Sequence, residues 1–169
     1  YTINTFIMIK KIGLFFLCFP LVMFVIETLF FIIGWHVNCF AFIFAFILVI
    51  GYILRNTSKK IRLKSICWFV GITLASIFIG ANVYDASYDG QWYHSSIIKL
   101  MNDGWNPFYH PILQQDEVPY YTNTHIWVSH YAKGMETIEA GIVALTGNLE
   151  SGKTLNIFLA ISLFCFVFD

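Results

Sequence analysis

The sequence predicts an all-α fold: a multi-pass transmembrane helical bundle with a large outer loop that carries interfacial amphipathic helices. Of its 169 residues, 58% are hydrophobic and 12% are charged, well below the roughly 25% charged residues of soluble domains. The apolar residues form long runs, and five of the ten basic residues stand together at 55–64. This composition excludes a water-soluble domain, and the zero net charge argues against a nucleic-acid-binding protein.

Three apolar runs, at residues 12–35, 37–54 and 65–82, are each about long enough to cross roughly 30 Å of hydrocarbon as a helix. A fourth run, at 153–169, is short. All four are apolar around the whole circumference, which distinguishes them from soluble amphipathic helices. Because the sequence begins at Tyr1 and stops directly after the fourth run, we expect an N-terminal fragment of a longer protein.

The distribution of charge predicts the orientation of these spans. The basic segment at 55–64 is expected in the cytoplasm, because short cytoplasmic loops are enriched in Lys and Arg. Lys10 and Lys11 then lie on the same side. The chain accordingly divides into three spans at 1–82, an outer loop at 83–152, which holds eight of the ten acidic residues, and a fourth span after it.

Ionisable and reactive side chains inside the spans are few. Glu27 stands in the middle of the first run, where a carboxylate is costly unless it is paired, protonated or facing water. It is either a site or relay residue or the partner in an interhelical hydrogen bond. The four cysteines fall inside apolar runs without ligand spacing and are interpreted as small buried hydrophobes.

The outer loop contains two predicted helices and two neighbouring carboxylates. Residues 92–103 and 127–146 have amphipathic spacing typical of helices that lie on the membrane or pack against a span, and 108–124 is predicted to be an irregular loop. Asp85 and Asp89 are four residues apart, so they share a face if this segment is helical. A turn at Gly90 is the alternative.

The loop also contains four histidines, which stand near acidic residues. Together they could bind a divalent metal, but no pair has a recognisable ligand spacing, and we expect no metal site. The four are His94, His110, His125 and His130.

The segment 147–154 (GNLESGKT) matches the phosphate-binding pattern GxxxxGK[ST]. That pattern binds nucleotide only where a buried strand precedes the loop and an amphipathic helix follows it. Here a helical pattern precedes it, an apolar span follows it, and the segment is predicted outside the cell. We therefore expect no ATP binding; Gly147 ends the outer helix, and Asn148 or Ser151 begins the last span.

Two short segments resemble the first outer loop of the GT-C-type membrane glycosyltransferases, which include the protein mannosyltransferases and the aminoarabinose transferases. The first is 88–94 (YDGQWYH), followed by 104–107 (GWNP). The second is 130–136 (HYAKGME), which is similar to the segment that opens the family's second outer helix but lacks its prolines. The resemblance covers about residues 82–150.

The resemblance implies an enzyme of the bacterial inner membrane that transfers a sugar from a polyprenyl-phosphate donor to an acceptor at the outer face. Asp89 would be the general base, with Asp85 as the second choice. Lys133 would neutralise the departing lipid phosphate. The other expected substrate-binding residues lie in the same two segments: Tyr93, His94, His130 and Glu136.

Two other classes of function stay open. A polysaccharide or lipid transporter or polymerase component is suggested by Glu27 and the aromatic loop, although transport predicts more ionisable residues within the spans. A non-catalytic membrane protein of envelope assembly is the other. For either class, the expected partners are membrane lipids and, for the enzyme, the lipid-linked sugar.

Overall fold

The computed structural model describes residues 2–118 and 124–167, with side chains from residue 8 onward. The described part consists of helices and connecting segments and contains no β-strand. Parts of two predicted elements, at 119–123 in the irregular loop and at 168–169 in the last span, lie outside the described residues.

The described residues form seven α-helices. They are α1 (Thr2–Ile32), α2 (Phe40–Asn56), α3 (Lys59–Asn82), α4 (Ser95–Asn102), α5 (Thr124–His130), α6 (Gly134–Thr146) and α7 (Thr154–Val167). A π-helical turn, Gly90–His94, leads into α4, and 3₁₀ turns occur at Gln115–Glu117 and Leu149–Lys153.

Within the described ranges, three of the helical stretches are long and apolar enough to span a membrane. They are Met8–Ile32, Lys59–Asn82 and Leu149–Val167, the last of which includes the 3₁₀ turn before α7. The predicted second span corresponds to α2, an apolar helix of 17 residues. Its crossing of a membrane stays a prediction.

The long helices pack around a core of phenylalanines centred on α1. Phe19 contacts Phe42 of α2 with ring centroids 5.0 Å apart, and Phe16 contacts Phe158 of α7 at 5.2 Å. Phe69 of α3 lies against both α1 rings. One helix therefore organises the other three, since each buries an aromatic ring against it.

Small residues allow α1 and α7 to approach closely. A Cβ added at Gly13 would stand 2.8 Å from Cβ of Cys165, and Ser162 Oγ donates a hydrogen bond of 2.9 Å to the Gly13 carbonyl oxygen. Small residues and hydroxyl hydrogen bonds of this kind are typical of helix contacts in membranes.

The opposite faces of these helices expose large apolar side chains. Leu21 is 60% exposed, Phe78 70% and Leu163 65%. Apolar surface on this scale is too extensive for a protein in water and fits contact with lipid. The composition, helix lengths and exposed faces together support a membrane protein.

The described segments between α3 and α7 form a second layer with its own core, in which Ile97 and Met101 of α4 and Val128 of α5 are completely buried. The helix predicted at 92–103 is confirmed, although it begins with a π-helical turn. The single helix predicted at 127–146 is wrong: α5 ends at His130, α6 begins at Gly134, and the chain turns between them.

Candidate functional site

A cavity of about 420 Å³ lies where the segment after α3 meets α6 and the 3₁₀ turn before α7. Most of the ionisable groups around it come from the part of the chain between α3 and α7. Its polar and charged side chains are Asp85, Ser87, Asp89, His94, Ser95, Glu139, Glu150, Lys153 and Asn156. The cavity thus brings Asp85, Asp89 and His94, three of the residues expected at the site, to one place.

Asp85 is fixed by a local turn. Its Oδ1 accepts a hydrogen bond of 2.8 Å from the backbone N–H of Ser87, and its own N–H donates to Glu150 Oε2 at 3.0 Å. The hydrogen bonds from Ser87 lower the pKa of the Asp85 carboxyl from its ordinary value, and the positive charges of Lys153 and His94 add to the effect. Asp85 is therefore an ionised group held in one orientation.

Asp89 precedes the π-helical turn and is more exposed than Asp85. Its side chain is exposed, lines the cavity and accepts no hydrogen bond from the residues that the structure describes. The next residue is Gly90, where an added Cβ would overlap the carboxylate of Asp85 and the hydroxyl of Ser87. Asp89 is thus the free carboxylate of the pair.

His94 ends the π-helical turn and contacts Glu136 of α6. The distance from His94 Nδ1 to Glu136 Oε1 is 2.5 Å. The Glu136 side chain is 4% exposed, whereas that of His94 is 39% exposed. A carboxylate at Nδ1 keeps a proton on that nitrogen, which leaves Nε2 for the cavity.

Tyr93 lies beside His94, in an aromatic cluster rather than among the residues that line the cavity. Its ring centroid is 5.0 Å from that of Tyr131 and 4.2 Å from that of His94. Burial raises the pKa of the Tyr93 hydroxyl, and the negative charge of Asp89 raises it further. Tyr93 therefore stays protonated and supports the His94 ring by contact.

Two further residues expected at the site, Lys133 and His130, do not line this cavity. Lys133 lines a second cavity, of about 320 Å³, together with Phe24 and Thr28 of α1, and its Nζ donates to the carbonyl oxygens of Ser129 and Tyr131, each at 2.9 Å. Burial lowers the pKa of Lys133. His130 is exposed, with Nδ1 3.0 Å from the Ile126 carbonyl oxygen.

Glu139 is a cavity residue that the sequence analysis missed. It lies one turn after Glu136 on α6, partly buried against Gly152. Burial raises the pKa of Glu139 to about 8, and the charges of Glu136 and Asp85 contribute. The spacing of two glutamates by three residues in an otherwise apolar helix was the signal that could have identified it.

The segment that matches the nucleotide-binding pattern forms one wall of this cavity. Gly147 ends α6 in the left-handed region, with φ of 68°, and the Asn148 side chain accepts from the N–H of Glu150 at the start of the 3₁₀ turn. These two predictions are confirmed. Lys153 donates to Glu150 and to the Val83 carbonyl oxygen, so it ties the segment to the end of α3.

The four histidines between α3 and α7 are dispersed. His110 Nε2 is 3.4 Å from Glu117 Oε1, and His125 Nδ1 is 2.6 Å from Gln115 Oε1. Within residues 2–118 and 124–167, no three His, Cys, Asp or Glu side chains are grouped closely enough to hold a metal ion.

Glu27 lies inside α1 and lines neither of these two cavities. It is completely buried, and a Cβ at Gly141 of α6 would stand 2.8 Å from its Oε1. Among the described residues, neither carboxylate oxygen has a hydrogen-bond partner. Gly141 is thus the residue that lets α6 pass over this carboxylate.

No protein-family model matches the chain, and searches of the curated proteins and of the solved structures find no match either.

Proposed function

We propose that this chain is part of a GT-C-type membrane glycosyltransferase, which transfers a sugar from a polyprenyl-phosphate donor to an acceptor hydroxyl at the outer face of the bacterial inner membrane. The three apolar helices support a membrane location. The basic segment at 55–64 supports an orientation with the cavity outside. In this proposal α2 crosses the membrane as well, and residues 83–152 form the outer loop.

The observation that carries the proposal is the cavity that Asp85 and Asp89 share with His94. Glycosyl transfer needs a base beside the acceptor and room for a sugar, and the cavity offers both. Asp89 is the better base, because it accepts no hydrogen bond from the described part of the chain, whereas Asp85 is engaged by Ser87.

In the reaction we propose, the acceptor O–H bond breaks and its proton passes to Asp89. The acceptor oxygen forms a bond to the anomeric carbon on the side opposite the phosphate. The bond between that carbon and the phosphate oxygen breaks, and its electron pair leaves with the polyprenyl phosphate. Asp85, which stays ionised, stabilises the positive charge that develops on the sugar.

Lys133 lies outside the lining of the Asp89 cavity, whereas the sequence predicts that both residues belong to one site. The Asp89 cavity is lined by α6 residues such as Glu139, whereas Lys133 lines the second cavity with Phe24 and Thr28 of α1. Binding of the departing phosphate by Lys133 therefore requires a donor that reaches both cavities.

The test is the substitution Asp89→Asn in the complete protein, assayed for sugar transfer from a polyprenyl-phosphate donor in membranes. We expect the rate to fall about a hundredfold or more, the usual effect of losing a general base, with unchanged expression. Asp103→Asn is the matched control, because Asp103 is exposed at the end of α4 and does not line the cavity. Undiminished transfer by Asp89→Asn would exclude Asp89 as the base.

A second candidate function, a component of a polysaccharide or lipid transporter or polymerase, is favoured by Glu27. A buried carboxylate with no hydrogen-bond partner among the described residues is costly in a membrane-spanning helix and is often retained for ion or proton transfer. Loss of export in Glu27→Gln, with full function when Asp85 and Asp89 are both replaced, would favour this class. A non-catalytic assembly protein would tolerate all three changes.

A further inference from the structure

Glu139 occupies a position in the cavity to which neither the sequence motifs nor the proposed base gives a role. Its side chain is partly buried between α6 and the 3₁₀ turn, with Cβ 3.2 Å from the place of a Cβ on Gly152. It has no hydrogen-bond or ion-pair partner in the described part of the chain. A carboxyl group that no protein group satisfies is available to a ligand in the cavity.

The charged groups around Glu139 determine its protonation. Asp85 and Asp89 come from the segment after α3, and Glu136 comes from its own helix. From the other sides, Glu150 and Lys153 are paired with each other, and His94 is paired with Glu136. No cation in this surrounding set is free to pair with Glu139, so an ionised Glu139 would face an excess of negative charge.

Glu139 and Asp85 consequently line the same cavity in different protonation states. Burial and the neighbouring carboxylates raise the pKa of Glu139 to about 8, whereas the hydrogen bonds from Ser87 lower the pKa of Asp85. At neutral pH, Glu139 is a hydrogen-bond donor and Asp85 a carboxylate. Two carboxyl groups whose pKa values are moved apart in this way are typical of a site in which one carboxyl donates a hydrogen bond and the other stays charged.

We propose that Glu139 donates a hydrogen bond to the phosphate of the polyprenyl-phosphate carrier, at the oxygen that departs from the sugar. A neutral donor can bind a phosphate in a cavity lined by carboxylates, whereas an ionised one would repel it. Glu139 keeps its proton throughout, while the electron pair of the broken bond stays with the phosphate. This inference rests on the proposed function, since it names the group that binds the leaving part of the donor.

The first experiment measures binding of decaprenyl phosphate to the complete protein in detergent micelles between pH 7 and pH 9, with decaprenol as the ligand without phosphate. We expect the affinity of the wild type to fall by about tenfold over this range, as a donor with a pKa near 8 ionises. Glu139→Gln keeps an N–H donor that does not titrate, so its affinity should stay nearly constant. Glu139→Ala should bind weakly at every pH.

A second measurement tests the titration of Glu139 without a ligand. Because its pKa is raised in the folded state, Glu139 contributes stability that is present below its unfolded pKa and is lost as the pH rises towards 8. The melting temperature of the wild type should therefore fall relative to that of Glu139→Gln between pH 5 and pH 8. Asp103→Asn, at an exposed carboxylate outside the cavity, is the matched control.

The outcomes separate this inference from the proposed function. Suppose that decaprenyl phosphate binds and that its affinity for the wild type and for Glu139→Gln has the same pH dependence. Glu139 is then not the hydrogen-bond donor to the phosphate, whereas the proposed glycosyltransferase function is unaffected. If decaprenyl phosphate binds no better than decaprenol at any pH, both proposals fail. Melting temperatures that run parallel from pH 5 to pH 8 would also overturn the role of Glu139.

Discussion

His94 Nδ1 lies 2.5 Å from Oε1 of Glu136, and this contact joins the π-helical turn to α6 across the wall of the cavity. Glu136 is buried behind the histidine, so it contacts the cavity through His94. A π-helical turn inserts an extra residue into a helix and is frequent at functional sites. Here it ends at the residue that meets Glu136, and so sets the direction of the imidazole.

Glu136→Gln is predicted to disturb His94 while leaving the cavity charges of Asp85 and Asp89 in place. The amide accepts a weaker hydrogen bond from His94 Nδ1 and holds the imidazole less firmly in place, so we expect transfer to fall by about tenfold. The measurement is the rate of transfer in membranes. Glu117→Gln changes the partly exposed pair with His110, 3.4 Å apart, outside the cavity, and should leave the transfer rate unchanged. An equal loss in both variants would contradict a specific role for Glu136.

Gly90→Ala is predicted to displace the carboxylate of Asp85. The added methyl group would overlap Asp85 and Ser87, so the turn that holds both must open. We expect a loss of about 1–3 kcal/mol in the free energy of unfolding, the usual range for overpacking, and a strong decrease in transfer. The readouts are thermal unfolding in detergent and the rate of transfer.

Gly71→Ala is the matched control for this change. Gly71 lies within α3, and a Cβ there meets no atom within 4 Å among the described residues. Alanine is favoured over glycine inside a helix by up to about 1 kcal/mol, so this variant should be as stable as the wild type or more so. If Gly90→Ala behaves like Gly71→Ala, the close approach of Gly90 to Asp85 has no functional consequence.

The sequence identified those parts of the site that are close together in the chain. Asp85, Asp89 and His94 follow the end of one apolar run within a few residues, so their proximity could be predicted. Glu136 reaches His94 from 42 residues away, and Glu139 enters the cavity only because α6 packs over it. Contacts between residues far apart in the sequence depend on how the helices pack. The spacing of apolar residues does not specify that packing.

The break between α5 and α6 was missed for a related reason. The apolar spacing continues through residues 131–133, and a helix is the simplest prediction from it. In the structure, Lys133 turns back and donates to the carbonyl oxygens of Ser129 and Tyr131, which satisfies backbone groups that a continuous helix would have paired. A side chain thus stabilises a corner that the pattern of apolar residues does not reveal.

Lys133→Gln is therefore predicted to loosen this corner. The loss of two charge-assisted hydrogen bonds to backbone oxygens should lower the free energy of unfolding by about 1–3 kcal/mol, seen as a lower melting temperature in detergent. The affinity for decaprenyl phosphate should change less than it does in Glu139→Ala. A large loss of affinity with an unchanged melting temperature would instead show that Lys133 binds the phosphate directly.

The orientation of the chain gives the last prediction, which cysteine labelling can test. In a variant without the four native cysteines, Ser58→Cys places a thiol in the basic segment between α2 and α3, and Tyr88→Cys places one beside the cavity; both positions are exposed. A membrane-impermeant maleimide applied to spheroplasts should label position 88 and should reach position 58 only after permeabilisation. The reverse pattern would move the cavity to the cytoplasm, where a donor presented at the outer face could not reach Asp89. Labelling at both positions without permeabilisation would mean that α3 does not cross the membrane, and the proposed glycosyltransferase would lose its basis.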